Sequence, residues 1–110
     1  MASTTQDKEI EELQMLENQL QNLLMQKQAF QIEMSETENA LDELKNSDGE
    51  VYKITAGVIL KTNKEDLHEE LEEKKKLLDM KISAVDKQEK LLDKRSSDIR
   101  AKIIKEKGSS

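Results

Sequence analysis

The segment that decides the fold is Glu50-Val-Tyr-Lys-Ile-Thr-Ala-Gly-Val-Ile-Leu-Lys-Thr62, near the middle of a 110-residue chain. It is rich in β-branched residues, which favour an extended backbone. A cluster of turn-forming residues, Asn46-Ser-Asp-Gly49, leads into it, and Ala56-Gly57 lies at its centre. The pattern predicts a β-hairpin over residues 50–62 that turns near Ala56 and Gly57.

Long helical patterns flank this segment on both sides. Apolar residues recur at heptad spacing over residues 7–45 and again over residues 64–107, which is typical of a coiled-coil seam. Asn63 is a candidate N-cap for the second helix, because acidic residues occupy the turn that follows it, and Gly108-Ser-Ser110 would stop that helix. The first helix has the rows Leu13, Leu20, Lys27, Met34, Leu41 and Leu16, Leu23, Phe30, Thr37, Leu44; the second has Leu71, Leu78, Val85, Leu92, Ile99 and His68, Lys75, Ile82, Glu89, Ser96, Ile103.

A hairpin reverses the chain, so the two helices can return along each other as an antiparallel pair. If positions equidistant from Ala56 face each other, Leu13 meets Ile99 and Leu41 meets Leu71, while several other layers are partly polar. We therefore predict a mainly α protein, a long antiparallel two-helix coiled coil with one central β-hairpin. Residues 1–110 are expected to form a single domain, and the coil is expected to be marginally stable alone.

The charge distribution supports this antiparallel arrangement. Residues 1–73 carry a net charge of −12 and residues 74–107 a net charge of +6, so the two parts attract each other. We expect favourable but exposed pairs at the end that holds both termini and repulsion at the hairpin end. The first set comprises Asp7, Glu9, Glu11 and Glu12 with Arg100, Lys102, Lys105 and Lys107; the second comprises Asp42, Glu43, Asp48 and Glu50 with Glu65, Asp66, Glu69 and Glu70.

Composition excludes several classes of protein. Charged residues make up 38% of the chain and hydrophobic residues 35%, which argues against a compact globule. The net charge of −6 argues against a nucleic-acid partner, since binding phosphate requires a basic surface. The sequence has no cysteine, no apolar run long enough to span a bilayer and no signal-peptide pattern at its start, so we expect a cytoplasmic protein that does not associate with membranes.

No motif favours an enzyme, a cofactor or a metal centre. His68 lies at helical spacing from three glutamates, but no second histidine or cysteine supports a metal site, and a charged helix start explains the acids. Gly49 and Gly57 belong to no phosphate-binding loop. Lys74-Lys-Lys76 could form a basic docking patch, although a solvated face that attracts the acidic first helix is the better explanation.

The hairpin predicts oligomerisation. A two-stranded hairpin is barely stable in water, and its edges expose unpaired backbone N–H and C=O groups. A closed ring or barrel made from one hairpin per chain removes these edges and covers the apolar side chains. We expect assembly through Val51, Tyr52, Ile54, Val58, Ile59 and Leu60.

The central segment and its neighbours form a pattern that is more specific than heptads, which many unrelated proteins share. Its residues are Glu50-Val-Tyr-Lys53, Gly57, Ile59, Leu60, Lys64-Glu-Asp-Leu67, Glu69-Glu-Leu71 and Glu72-Glu-Lys74, with Gln26-Lys-Gln28 and Glu36-Thr-Glu-Asn-Ala-Leu41-Asp-Glu-Leu44 upstream. With two helices of these lengths around a single hairpin, the chain resembles the β subunits of the prefoldin family over nearly its whole length. The α type of subunit has two hairpins, so the β type fits better.

The resemblance implies an ATP-independent chaperone. In that family two α and four β subunits form a hexamer, the hairpins build β-barrels, and the tips of the coiled coils bind nonnative polypeptides. Such clients pass to a group II chaperonin. The family uses no nucleotide, so the resemblance implies neither a cofactor nor catalysis.

The candidate client-binding residues lie at the end that holds both termini. Methionine and several isoleucines there cannot all fit one two-helix seam, and a pair that frays would release the seam residues as well, giving an adaptable apolar surface. Apolar residues at heptad spacing are usually ordinary packing, which is the better explanation for Leu13, Leu16 and Ile99 taken one by one. For Met15, Ile103 and Ile104 the two explanations are about balanced. The predicted set is Ile10, Leu13, Met15, Leu16, Ile99, Ile103 and Ile104.

Two alternatives stay open at this point. The chain could be a purely structural coiled-coil scaffold or tether, with residues 50–62 as an incidental connector. The off-seam apolar residues could line an inner cavity, contact a neighbouring coil or simply be tolerated at the surface. These residues are Leu24, Met25, Ile32, Leu77, Met80 and Leu91.

Overall fold

The computed structural model describes residues 4–108. Within that range the chain forms two helices and one hairpin, in the order α1 (Thr5–Lys45), β1 (Val51–Thr55), β2 (Val58–Thr62) and α2 (Lys64–Gly108). The strands pair antiparallel in a two-stranded sheet. The expected mainly helical fold with one central β-hairpin is confirmed.

Side-chain caps determine where the helices begin. The backbone N–H of Asp7 donates to Oγ1 of Thr4 at 3.1 Å, and the Thr4 N–H donates to the Asp7 carboxylate at 3.3 Å. This reciprocal cap lets α1 begin at Thr5, two residues before the predicted start. At α2 the Asp66 N–H donates to Oδ1 of Asn63 at 2.8 Å, so the predicted N-cap is confirmed. The predicted stop includes Ser109 and Ser110, which lie outside the described residues.

The hairpin turns where the sequence predicted. Ile54 pairs with Ile59 and Thr55 with Val58, which leaves Ala56 and Gly57 as a two-residue loop. Both loop residues have positive φ, 51° for Ala56 and 78° for Gly57. Two successive positive φ angles are the signature of a type I′ turn, whose twist matches that of the paired strands.

The chain divides into two compact units. The first, here called the terminal unit, comprises residues 1–28 and 83–110, of which residues 4–28 and 83–108 are described. Its α1 and α2 segments run antiparallel, as the ion pairs Glu9–Lys102 and Lys27–Asp86 show. The second, the hairpin unit, comprises residues 29–82 and contains both strands. That the whole chain is one domain stays a prediction.

One predicted seam row of α1 is more deeply buried than the other. In the terminal unit Leu16, Val85 and Ile99 are buried, and in the hairpin unit Leu44 and Leu78 are buried. Thr37 is also buried, and its hydroxyl donates to the Glu33 carbonyl at 2.8 Å. That bond supplies a partner within the helix and makes a polar seam position tolerable. The row of Leu13 and Leu41 is only half-buried.

Glu9 departs from the expectation for the charged residues near the termini. We expected it among exposed, screened pairs, but it is only 7% exposed. Glu9 precedes Leu16 by one heptad and therefore continues the more buried row of α1. The expectation was wrong because it assigned Glu9 by its charge rather than by its heptad position.

Candidate functional site

The hairpin presents apolar side chains to solvent. Ile54 and Ile59 face each other across the strands and are 75% and 68% exposed. Tyr52, Val58 and Leu60 are exposed as well, whereas Val51 is half-buried. Because adjacent residues of a strand point to opposite faces, Tyr52 and Ile54 share one face of the hairpin. Five of the six residues predicted for assembly are thus accessible within the hairpin unit.

Hydrogen bonds join three polar side chains at the start and the end of the hairpin. The Tyr52 hydroxyl donates to Oε2 of Glu50 at 2.5 Å, and Lys61 Nζ lies 3.1 Å from Oε1 of the same carboxylate. The hydrogen bond from Tyr52, followed by that from Lys61, lowers the pKa of Glu50. The same bond from Tyr52, with a smaller contribution from desolvation, raises the pKa of Tyr52.

Lysines at the hairpin end offset the acidic residues there. Lys53 Nζ lies 3.2 Å from the Glu70 carboxylate and so links β1 to α2. Lys64 Nζ donates to the carbonyls of Lys45 and Ser47 at 3.1 and 3.2 Å, which satisfies backbone acceptors where α1 ends. The sequence prediction counted the acids and overlooked these cations. For Lys61, whose ammonium group bonds to Glu50, the available signal was its position opposite Tyr52 in the hairpin.

The residues predicted to bind clients differ in accessibility within the terminal unit. Met15 is 63% exposed and Ile104 is 70% exposed, and Ile10 is exposed as well. Leu13 and Ile103 are half-buried. Leu16 and Ile99 are buried, so they can contact another molecule only if the helix pair opens.

Ion pairs join the helices of the terminal unit, but partly between other partners than the sequence predicted. Arg95 Nε donates to Glu12 at 2.7 Å, and Arg100 lies 2.8 Å from Glu17. The prediction placed Glu12 near bases closer to the carboxyl end, and Glu17 was not considered. These side chains meet because of how each helix is rotated about its own axis, and heptad counting does not specify that rotation. All four groups are well exposed, so each pair contributes little stability.

A charged cluster occupies the seam of the terminal unit. Lys27 Nζ lies 2.6 Å from Asp86 and 3.7 Å from Glu89, and its side chain is 24% exposed. The hydrogen bond from Asp86 is the main reason that the pKa of Lys27 is raised. Oε2 of Glu89 is buried and has no hydrogen-bond partner among the described residues. The cluster keeps a cation at a position where the heptad would favour an apolar residue.

Two of the shallow grooves on the terminal unit differ in chemistry. One, of about 400 Å³, combines three leucines with three side-chain amides, namely Leu23, Leu91, Leu92, Gln19, Asn22 and Gln88. The other, of about 480 Å³, has leucines and carboxylates, namely Leu20, Leu24, Glu17, Glu89 and Asp93, with Asn18 and Gln21. Leu24 and Leu91, which lie off the seam, are therefore walls of grooves.

Among residues 4–108 no group of three or more His, Cys, Asp or Glu side chains is arranged to hold a metal ion. His68 is exposed and lies 3.8 Å from Glu72, one turn further along α2. In the described part of the chain, neither helix contains a segment apolar enough to cross a membrane.

The comparisons with known proteins agree with one another. A family model described as prefoldin subunit matches residues 7–110. Prefoldin subunit beta of Saccharolobus islandicus is 34% identical over 97 residues, covering 86% of this chain and 77% of that protein. Prefoldin subunit beta of Thermococcus kodakarensis is 36% identical over 94 residues, covering 84% and 80%.

A solved structure shows the same fold. The crystal structure of the prefoldin beta subunit from Thermococcus strain KS-1 aligns with a TM-score of 0.85 and 33% sequence identity, covering 92% of this chain and 90% of that one. The resemblance stated from the central segment and the heptads is thereby confirmed. Sequence, fold and relatives together show that this chain belongs to the prefoldin family.

Proposed function

We propose that this chain is an ATP-independent chaperone subunit that binds nonnative polypeptides at the end of its helix pair and delivers them to a group II chaperonin. Prefoldin subunits are non-enzymatic members of a chaperone family and work in multi-subunit complexes. The observation that carries the proposal for this chain is the exposure of Met15 and Ile104 in the terminal unit. Exposed apolar side chains on an otherwise charged surface mark a site of interaction.

The chemistry of this surface fits promiscuous and reversible binding. Methionine is flexible and polarisable, so it adapts to apolar partners of different shapes. Ile10, Met15 and Ile104 are exposed while the helix pair is closed. Leu16 and Ile99 are buried in the seam and would become accessible only if the pair opened. Burying one such side chain contributes about 1.5–3 kcal/mol, so a few contacts on each of several subunits give useful affinity through multivalency.

We assign assembly to the hairpin. Its exposed residues include the cross-strand pair Ile54 and Ile59, and its strand edges lack partners within the described chain. A complex with α-type subunits, in a ratio of two α to four β, would close the edges into barrels. We place this complex in the cytoplasm, where a group II chaperonin would receive the clients.

The test of the chaperone function uses the purified chain mixed with an α-type prefoldin subunit. The complex should suppress aggregation of a chemically denatured client, measured by light scattering, without added nucleotide. Aggregation that proceeds unchanged at a stoichiometric excess of complex would refute the proposal.

A hairpin variant separates the chaperone from the alternative of a scaffold or tether. Replacing both Ile54 and Ile59 by aspartate puts charges on the proposed interface, so the mass of the complex should fall to that of separate subunits. Multi-angle light scattering measures this mass. An unchanged mass would favour the tether, in which residues 50–62 only connect the helices.

A further inference from the structure

Glu9 is the one buried carboxylate in the described part of the terminal unit with neither oxygen hydrogen-bonded. The residue is 7% exposed and its side chain 10% exposed, and both Oε1 and Oε2 lack a hydrogen-bond partner among the described residues. Lys102 Nζ lies 3.8 Å from Oε1, which allows an ion pair but is too far for a hydrogen bond. Glu9 is thus desolvated with one long ion pair and without the hydrogen bonds that normally compensate a buried charge.

None of the side chains around Glu9, which include Lys94, donates a hydrogen bond to its carboxylate. A groove of about 300 Å³ beside Glu9 is lined by Leu91 and Ile99, together with charged residues. Of these, Arg95 is already bonded to Glu12. The side chain of Lys102 is 67% exposed, so its ammonium group is solvated mainly by water rather than by Glu9. Glu9 therefore opposes closure of the helix pair at this end.

Opening the helix pair removes the free-energy cost of desolvating Glu9. A separated α1 segment would expose the Glu9 carboxylate to water, which supplies the missing hydrogen bonds. The same opening would expose Leu16, one heptad further along α1, and Ile99 on the facing helix. Glu9 thus lowers the free energy needed to release apolar side chains that the closed pair hides.

We propose that Glu9 is a built-in destabiliser that keeps this end of the helix pair ready to open, and that it thereby regulates how readily Leu16 and Ile99 join the apolar surface offered to nonnative polypeptides. The part of this proposal that concerns clients rests on the proposed chaperone function. The part that concerns opening does not, since it follows from the burial and hydrogen bonding of Glu9 alone.

The experiment compares three variants of the full-length chain, alone and assembled with an α-type subunit. Glu9→Leu replaces the carboxylate by a side chain that suits the seam, so amide hydrogen exchange over residues 9–16 and 96–103 should slow by about tenfold. Glu9→Asp keeps the charge and should leave exchange near the wild-type rate. Glu11→Leu is the matched control, because it makes the same replacement at an exposed position two residues away. It should leave exchange in both segments unchanged.

Client capture is measured on the same variants with a denatured client. If Glu9 regulates access, Glu9→Leu weakens capture several-fold and Glu11→Leu does not. Exchange that is unchanged or faster in Glu9→Leu overturns the proposal, and so does slower exchange with unchanged or stronger capture. If even the wild-type complex captures no client, the proposed function fails, and the exchange rates alone decide whether Glu9 opens the pair.

Discussion

At the scale of single residues, the contact between Tyr52 and Glu50 predicts how the stability of the hairpin depends on pH. The hydrogen bond from the neutral hydroxyl raises the pKa of Tyr52 above its ordinary 10.0 and lowers that of Glu50 below its ordinary 4.5. The stabilisation linked to Tyr52 is therefore present below pH 10.0 and is lost as pH rises through the raised pKa. The stabilisation linked to Glu50 is present above pH 4.5 and is lost as pH falls through the lowered pKa of Glu50.

Tyr52 is the single tyrosine of the chain, so tyrosinate absorbance reports its ionisation directly. Glu50→Gln should move the absorbance midpoint to lower pH, because ionised Tyr52 would no longer face an anion. Asp48→Asn removes a neighbouring acid that has no bond to Tyr52 and should leave the midpoint in place. Identical midpoints in Glu50→Gln and the wild type would contradict the role of this hydrogen bond.

Single residues also show which buried positions heptad counting can predict and which it cannot. It predicted Leu16, Leu44, Val85 and Ile99 as seam positions, and all four are buried. It did not predict which row of α1 is buried more deeply, since spacing leaves the rotation of each helix about its axis undetermined. Glu9 was missed for that reason, because an acid one heptad before Leu16 looked like a surface charge.

At the scale of elements, the hairpin depends on the backbone of its loop. Gly57 has φ 78°, and nothing lies within 4 Å of where a Cβ would be. Gly57→Ala should therefore weaken the hairpin through backbone strain alone, by about 1 kcal/mol. Faster amide exchange over residues 51–62 would report this change.

Gly49 provides the matched control for the turn. It also has open space around its Cα, but its φ lies outside the positive region, so Gly49→Ala should leave exchange in the hairpin unchanged. Equal weakening of the hairpin by the two substitutions would contradict the role of the positive φ at Gly57.

The turn itself was predictable because β-branched runs flank a glycine. The lysine contacts around it were not, since Lys64 reaches backbone carbonyls at the end of α1 that no sequence pattern identifies.

At the scale of the whole molecule, the two units offer different chemistry. The hairpin unit contributes exposed strand residues, and the terminal unit contributes exposed apolar side chains on helices. The order of the elements could be predicted because periods of seven and of two residues differ clearly along the chain. The exposed residues of the terminal unit suit two roles, binding of nonnative polypeptides and contact with a neighbouring subunit.

Truncation separates these two roles. Removing residues 1–12 and those after Ile99 deletes Ile10, Ile103 and Ile104 and leaves the hairpin untouched, so the complex with the α-type subunit should keep its mass but bind denatured client several-fold more weakly. Because truncation also shortens the helix pair, Met15→Gln with Ile104→Gln tests the same surface on the intact chain. Ile32→Gln with Met80→Gln is the matched control, as both residues are exposed in the hairpin unit. If client binding survives the truncation and the Met15 and Ile104 substitutions alike, the terminal unit does not bind clients. If only the control pair weakens capture, the client surface lies on the hairpin unit instead.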